Sequence, residues 1–228
     1  MNHIRKKIIE ERFFMTKGKL LRDVYHLSDF YFGDSSGRYD IPQIKKVNFL
    51  PERLIDFSQA LTAKDFGAGV HFYIDDAKFE CIWRAPQRYL PILKKFSCVF
   101  SPDFSLYLDM PLAMKIWNVY RSRLLGQIMQ RAGITVIPTI SWAGKETYSF
   151  CFSGIQSGSV VSISSVGTMN TAKSTEVFLQ GCRKMCLKIK PEAILIYGKI
   201  PDFDFGKIKI FHYNYSRFDW KKNKKVVY

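Results

Sequence analysis

From Ile41 onward the chain repeats one pattern: a short apolar run, a turn, then an amphipathic stretch. The runs Val47–Leu50, Gly69–Ile74, Ser97–Ser101, Ile134–Ser141, Ser159–Ser165 and Ala193–Tyr197 read as strands. They are rich in Val and Ile and apolar throughout, as strands covered on both faces must be. Helical spacing marks Glu52–Leu61, Gln87–Lys95, Leu112–Ala132, Glu146–Phe152 and Ser174–Ile189 between them. Strands alternating with helices predict an α/β fold with a parallel sheet. Six such units suit either a partial or complete (β/α) barrel, the expectation preferred here, or a doubly wound open sheet as the alternative, and spacing alone does not choose between them.

Two segments flank this pattern. Ile4, Ile8, Ile9 and Phe13 recur at helical spacing among Arg5, Lys6, Glu10 and Arg12, which predicts an amphipathic helix with a basic face. The polar loop Asp34–Arg38 follows it, so residues 1–40 read as a basic arm, 41–200 as the α/β core domain and 201–228 as a tail packed on the core. Within the tail, Lys207–Tyr215 alternates between polar and apolar residues, as a last strand with one wet face does.

The longest apolar stretches, Gly133–Pro138 and Ala193–Tyr197, fall far short of the roughly 20 residues a membrane helix needs. The basic start has no apolar region of a secretory signal, so no membrane partner is expected and the location expected is the cytoplasm. Five cysteines at 81, 98, 151, 182 and 186 contain no C-x-x-C pair, which fits buried reduced thiols. With four histidines and no H-E-x-x-H, no metal ligand set is assigned.

Charge adds a partner to this picture. The chain carries 35 Lys and Arg against 20 Asp and Glu, a formal charge of +15. Residues 1–25 hold +4 and residues 199–228 hold +5, so the excess gathers at the ends. In the tail, Arg217, Trp220, Lys221, Lys222, Lys224 and Lys225 place cations beside aromatic rings, a surface on which bases stack while phosphates are neutralised. With Lys6 and Lys7 they form the expected nucleic-acid-binding set. A packed aromatic strand followed by a solvated lysine tail explains the same residues equally well.

In either architecture a ligand meets the loops at the carboxyl ends of the strands. Those ends carry Asp75 and Asp76, then Asp103, then Ser141 and Trp142, then Ser164, Ser165, Gly167 and Thr168. Carboxylates brought together would suit general acid–base work or Mg²⁺, since like charges raise one pKa; no other cofactor is called for. Helix capping and turn formation account for the same residue types. Small residues from Ser164 to Thr168, ahead of a helix, would let backbone N–H groups approach a phosphate, or simply cap that helix. Asp109 before Pro111 reads as a helix cap. Arg121 falls on the apolar stripe of the longest helix and needs a partner, either Asp103 or Asp109, or else a phosphate ligand. His71 is as compatible with a core position as with a base, and no nucleophile motif accompanies it.

The stretch Phe100-Ser101-Pro102-Asp103-Phe104-Ser105-Leu106-Tyr107-Leu108-Asp109-Met110-Pro111, followed by Ile116–Arg121, Val136–Trp142 and Gly158–Gly167, resembles one known family. It is similar to domain of unknown function 4417, carried by phages and conjugative elements of Gram-positive bacteria, over roughly Ile41 to Gly198. The resemblance implies a mobile-element protein acting in the cytoplasm of the host, and brings no activity, substrate or catalytic residue with it. Three functions follow as expectations. The first is an accessory protein that binds nucleic acid through its basic ends. The others are an enzyme acting on a nucleotide or nucleic acid at the strand-end rim through Asp75, Asp76 and Asp103, and an inhibitor that binds a host defence protein directly.

Overall fold

The computed structural model describes residues 24–29, 34–214 and 225–227. The chain divides into two compact units, residues 1–31 and 32–228. In the first, residues 24–29 form successive turns, with His26 Nδ1 3.5 Å from Asp29 Oδ2. The helix expected near Ile4–Phe13 lies outside the described residues.

The second unit opens with a small antiparallel pair, β1 (Ser35–Ser36) and β2 (Ile41–Pro42), which enclose the polar loop. It continues through β3 (Leu54–Asp56), α1 (Phe57–Ala60), β4 (Gly69–His71), α2 (Glu80–Arg84), α3 (Pro86–Leu93), β5 (Cys98–Phe100), α4 (Leu112–Arg131) and β6 (Val136–Ile137). The rest is β7 (Val160–Ser164), α5 (Ala172–Ile189), β8 (Ala193–Tyr197), β9 (Lys209–Tyr213) and β10 (Lys225–Val227). Strands β3 to β6 form one parallel sheet in chain order. Strands β7 to β9 form a second, also parallel, with β10 antiparallel at its edge. A parallel bridge between Thr139 and Ser162 joins the two, through Ile140 N–H to Ser162 O at 2.8 Å and Ser162 N–H to Pro138 O at 2.9 Å. The parallel strands therefore follow one another without the reversal of order that a doubly wound sheet contains. The arrangement is α/β, two parallel sheets whose strands alternate with helices.

Alternation along these strands separates two cores. Val161, Ile163, Ile194, Ile196 and Ile210 pack outward with Phe178, Cys182, Met185 and Ile189 of α5. Leu54, Cys98, Phe100, Ile137, Val160, Leu195 and Phe211 pack with one another on the inner face. The Tyr213 hydroxyl donates to Pro51 O at 2.5 Å, tying the last parallel strand to the segment entering the first.

Several expected elements move. Val47–Leu50 is not a strand; Val47, Phe49 and Leu50 pack half-buried against the inner core. The strand lies instead at β3, inside the stretch expected to be helical from Glu52, because Leu54 and Ile55 pair with Gly69 and Val70 of β4 and bury both side chains. Helix begins only after Asp56, whose Oδ1 accepts Gln59 N–H at 3.0 Å. Glu146–Phe152 contains only a 3₁₀ turn over Lys145–Ser149. The Cys151 and Ser153 carbonyls are engaged by the Arg123 guanidinium and not by a continuing helix. Asp109 is exposed and does not cap α4, whose first turn follows Pro111. Helix α2 was not expected. Helices α4 and α5 and strand β8 fall within two residues of their expected bounds.

Candidate acid–base site at the strand carboxyl ends

Inward positions change character along the strands. On β7 they run Val160, Ser162, Ser164; on β6 and its extension, Ile137, Thr139, Ser141; on β4 and its extension, Gly69, His71, Tyr73; on β8, Ala193, Leu195, Tyr197. Each run begins apolar or without a side chain and ends with a hydroxyl or phenol.

Tyr73 is the centre of this layer. Its hydroxyl and the Ser162 hydroxyl are 2.5 Å apart, and its ring stacks on Tyr197 with centroids 5.2 Å apart. The His71 ring lies against both, 5.5 Å from Tyr73 and 4.4 Å from Tyr197. His71 Nδ1 accepts the Tyr73 N–H at 3.1 Å. Burial holds the imidazole neutral, pushing its pKa down to about 3, so the ring proton sits on Nε2. Burial also pushes the Tyr73 phenol up, and the Asp103 charge adds to it.

Asp103 borders the same layer. The residue as a whole is half-buried, while protein crowds its carboxyl. That crowding, then the neighbouring Asp76 charge, push its pKa up to about 7 against the opposing pull of the Ser141 hydroxyl and the Arg123 guanidinium. Asp76 is fixed by Ser105, which donates its N–H at 3.1 Å and its hydroxyl at 2.8 Å. Arg123 is 2% exposed and donates to Thr139 O at 2.7 Å, Cys151 O at 3.0 Å and Ser153 O at 3.3 Å, clamping the end of β6 from behind. A carboxylic acid that keeps its proton close to neutrality can donate a hydrogen bond or a proton.

Not every expected residue joins this layer. Asp103, Asp76 and Ser141 do. Asp75 is exposed and faces Lys78 at 3.7 Å. Trp142 packs on Phe178 and lies over Gly181 of α5, where a Cβ would collide with the indole; it belongs to the outer core. Ser165 is buried, and its N–H donates to Tyr197 O at 2.9 Å. The Ser164 hydroxyl accepts Val166 N–H, and the Thr168 hydroxyl donates to Ser165 O at 3.0 Å. These hydroxyls thus serve the turn around Gly167, whose φ is +77°, and Thr171 supplies the cap of α5. Arg121 pairs with neither Asp103 nor Asp109. Glu80 of α2 accepts two bonds from its Nη1, at 2.7 and 2.9 Å, Asn118 Oδ1 accepts a third from Nη2 at 2.8 Å, and Phe104 lies 3.8 Å beneath the guanidinium. Glu80 sits 41 residues away on an element the sequence pattern did not mark. Of the basic set, Lys225 falls in β10, while Lys6, Lys7, Arg217, Trp220, Lys221, Lys222 and Lys224 lie outside the described residues.

A groove of about 430 Å³ runs along the outside of α5, lined by Leu179, Arg183, Leu187 and Phe203 among others, and includes none of these acids. Among the described residues no group of three or more His, Cys, Asp or Glu is placed to hold a metal ion. No helix among them is long and apolar enough to cross a membrane.

Comparison with known proteins places the chain. The family model "Domain of unknown function (DUF4417)" matches residues 33–215. The chain belongs to that family. It is similar to the Gene 1 protein of Mycobacterium phage L5, 39% identical over 183 residues that make up 77% of this chain and 80% of the relative. It is also similar to the Gene 1 protein of Mycobacterium phage D29, 35% identical over 199 residues, 85% of this chain and 72% of the relative. No solved structure matches it.

The DUF4417 region contains the whole carboxyl-end layer and stops short of Arg217–Lys225. Tyr73, Ser162, Tyr197 and Arg123 of that layer are not marked by the sequence reading. Tyr73 follows His71 at the alternation of an inward strand face, a signal present in the sequence. Arg123 was hidden because α4 has no clean apolar stripe: Lys115, Asn118, Arg121, Ser122, Arg123 and Gln127 are all buried along it.

Proposed function

We propose that this DUF4417 protein is a phage or mobile-element accessory protein that binds nucleic acid through its basic terminal segments. One observation carries the reading: a formal charge of +15 in 228 residues, of which the first 25 and last 30 residues supply +9. Phosphate neutralisation by Lys and Arg supplies most non-specific affinity for nucleic acid, and rings interleaved with cations suit a single strand. The two phage relatives support the setting and say nothing of a ligand.

A mobility-shift series over salt tests this. Affinity is expected to fall with salt at a log–log slope of about −0.9 per phosphate contact on duplex DNA, or about −0.7 on a single strand. Replacing Lys221, Lys222, Lys224 and Lys225 by glutamine is expected to flatten that slope by up to about one per lysine. Absence of any shift with DNA or RNA at low salt overturns the reading.

A further inference from the structure

The parallel strands share one direction, so the segments entering them gather at one end of the body and the segments leaving them at the other. The two ends differ in charge. Residues 45–53, 63–68, 94–97, 131–135, 156–159, 188–192 and 206–209, at the entries of β3 to β9, hold eleven Lys or Arg and three Asp or Glu. Residues 56–61, 72–80, 101–112, 138–146, 165–173 and 198–200, at the exits of β3 to β8, hold four Lys or Arg and seven Asp or Glu. Helix ends account for part of this, because cations suit the carboxyl ends of α3, α4 and α5 and acids suit amino ends. They do not account for Lys45, Lys46, Lys64, Lys207 and Lys209, which are exposed and belong to no helix.

Side chains fix the segments of this amino-end face to one another. Gln130, near the end of α4, accepts the Lys45 N–H and donates to Lys45 O, both at 2.8 Å, and Gln156 accepts the Lys46 N–H at 2.8 Å. Lys46 Nζ lies 3.5 Å from Glu192 Oε2, at the entry of β8. Lys94 Nζ lies over Gly133, where an added Cβ would meet it at 3.5 Å, and Lys95 Nζ sits 5.3 Å from the centre of the Phe66 ring. A face that gathers one sign of charge from separate segments is matched by a regular polyanion. Lysine ammonium groups act on phosphates as point charges, and the rings of these segments, Phe49, Phe66 and Phe96, are half-buried or buried, so they offer bases no stacking platform. We propose that the amino-end face of the parallel strands is a contact surface for the phosphate backbone of duplex nucleic acid, bound without regard to sequence. Nucleic acid as the partner rests on the proposed function. The surface does not, since Lys225, the described member of the basic tail, pairs with Tyr213 at the opposite end of β9.

Two variants of the full chain separate the surfaces. The face variant carries Lys45→Gln, Lys64→Gln, Lys94→Gln and Lys188→Gln, all at exposed positions, so its thermal melt should match that of wild type. The tail variant carries the four glutamines at Lys221, Lys222, Lys224 and Lys225. Both are titrated beside wild type with a blunt duplex DNA over a salt series, read by fluorescence anisotropy. The face variant is expected to flatten the log–log slope by up to about one per lysine and to lose about tenfold in affinity at about 0.1 M salt for each contact removed. Lys94→Gln alone should move the slope in the same direction by about one. A face variant that binds the duplex with the wild-type slope and affinity overturns the proposal, and a loss confined to the tail variant then leaves the proposed function standing. A loss confined to the face variant supports the surface and overturns binding through the tail. No binding of the duplex by wild type overturns both. Polyglutamate that displaces wild type from the duplex as well as unlabelled DNA does, at equal charge, overturns nucleic acid as the partner in favour of an acidic protein.

Discussion

The amino-terminal and carboxyl-terminal halves of the inner strands share one alternation and are filled differently. The lower half is Leu54, Cys98, Ile137, Val160, Ala193 and Leu195, all at most 3% exposed. Each large apolar side chain buried there contributes roughly 1.5–3 kcal/mol. The upper half is His71, Tyr73, Thr139, Ser162 and Tyr197, just as enclosed yet composed of groups that lose solvation on burial. Apolar residues of similar volume would hold the sheet as well. The difference separates what folding requires of this sheet from what folding merely tolerates, and the tolerated half lies where parallel-sheet folds place their ligands.

Truncation in the lower half gives the largest effect. Leu195→Ala is expected to lose about 3 kcal/mol through lost burial and the cavity left behind, by the same amount at pH 5 and pH 8. Urea unfolding at the two values checks it, and a strongly pH-dependent loss would mean that the halves are not separate.

A titration contrast comes next. Asp103 holds its proton in the folded state to about pH 7, against 3.8 in the unfolded chain, so its contribution is fully present below pH 3.8 and is lost as pH rises towards 7. His71 is neutral in the fold down to about pH 3, against 6.5 unfolded, so its contribution is present above pH 6.5 and is lost as pH falls. Between about pH 4 and 6.5 the two slopes oppose each other. Asp103→Asn removes the first, and its stability relative to wild type should improve by about 2 kcal/mol between pH 4 and pH 8, a figure reduced for the partial contact of Asp103 with water. Denaturant midpoints across that range measure it; a constant difference would show that Asp103 ionises as an ordinary carboxyl.

The smallest effect belongs to Asp75, the acid that lies outside the layer. Asp75→Asn should change stability by less than about 0.5 kcal/mol at any pH, because the side chain is exposed and its contact with Lys78 is screened. Thermal melts of Asp75→Asn beside Asp103→Asn would sharpen the contrast between two acids only 28 positions apart.

Local pattern made much of the fold legible. Ala193–Tyr197 is apolar at five successive positions, and a strand buried on both faces is what such a run forms. Leu112 onward announces its start with Pro111 and its length by a long polar–apolar sequence free of proline and interrupted by a single glycine, Gly126. Leu54–Asp56 was misread because three residues of strand carry too little periodicity to outweigh helix-compatible neighbours, and only the edge of β4 decides between them. Within the site, the carboxyl-end rule pointed to Asp76, Asp103 and Ser141. It also pointed to Trp142 and Ser165, since a residue's position at a strand end does not fix which way its side chain turns.

Alternation of apolar runs and amphipathic stretches, read along the chain alone, determined an α/β fold with parallel strands, because periods of 2 and 3.6 are local properties of the backbone. The charge and its concentration at the ends are likewise written in the sequence. Tertiary structure alone decided that His71, Tyr73, Asp103, Arg123 and Ser162 meet, that Arg121 belongs to Glu80, and that Asp75 stays in water. Those outcomes depend on sheet register and on contacts spanning tens of residues, where a shift of one position turns every side chain to the opposite face.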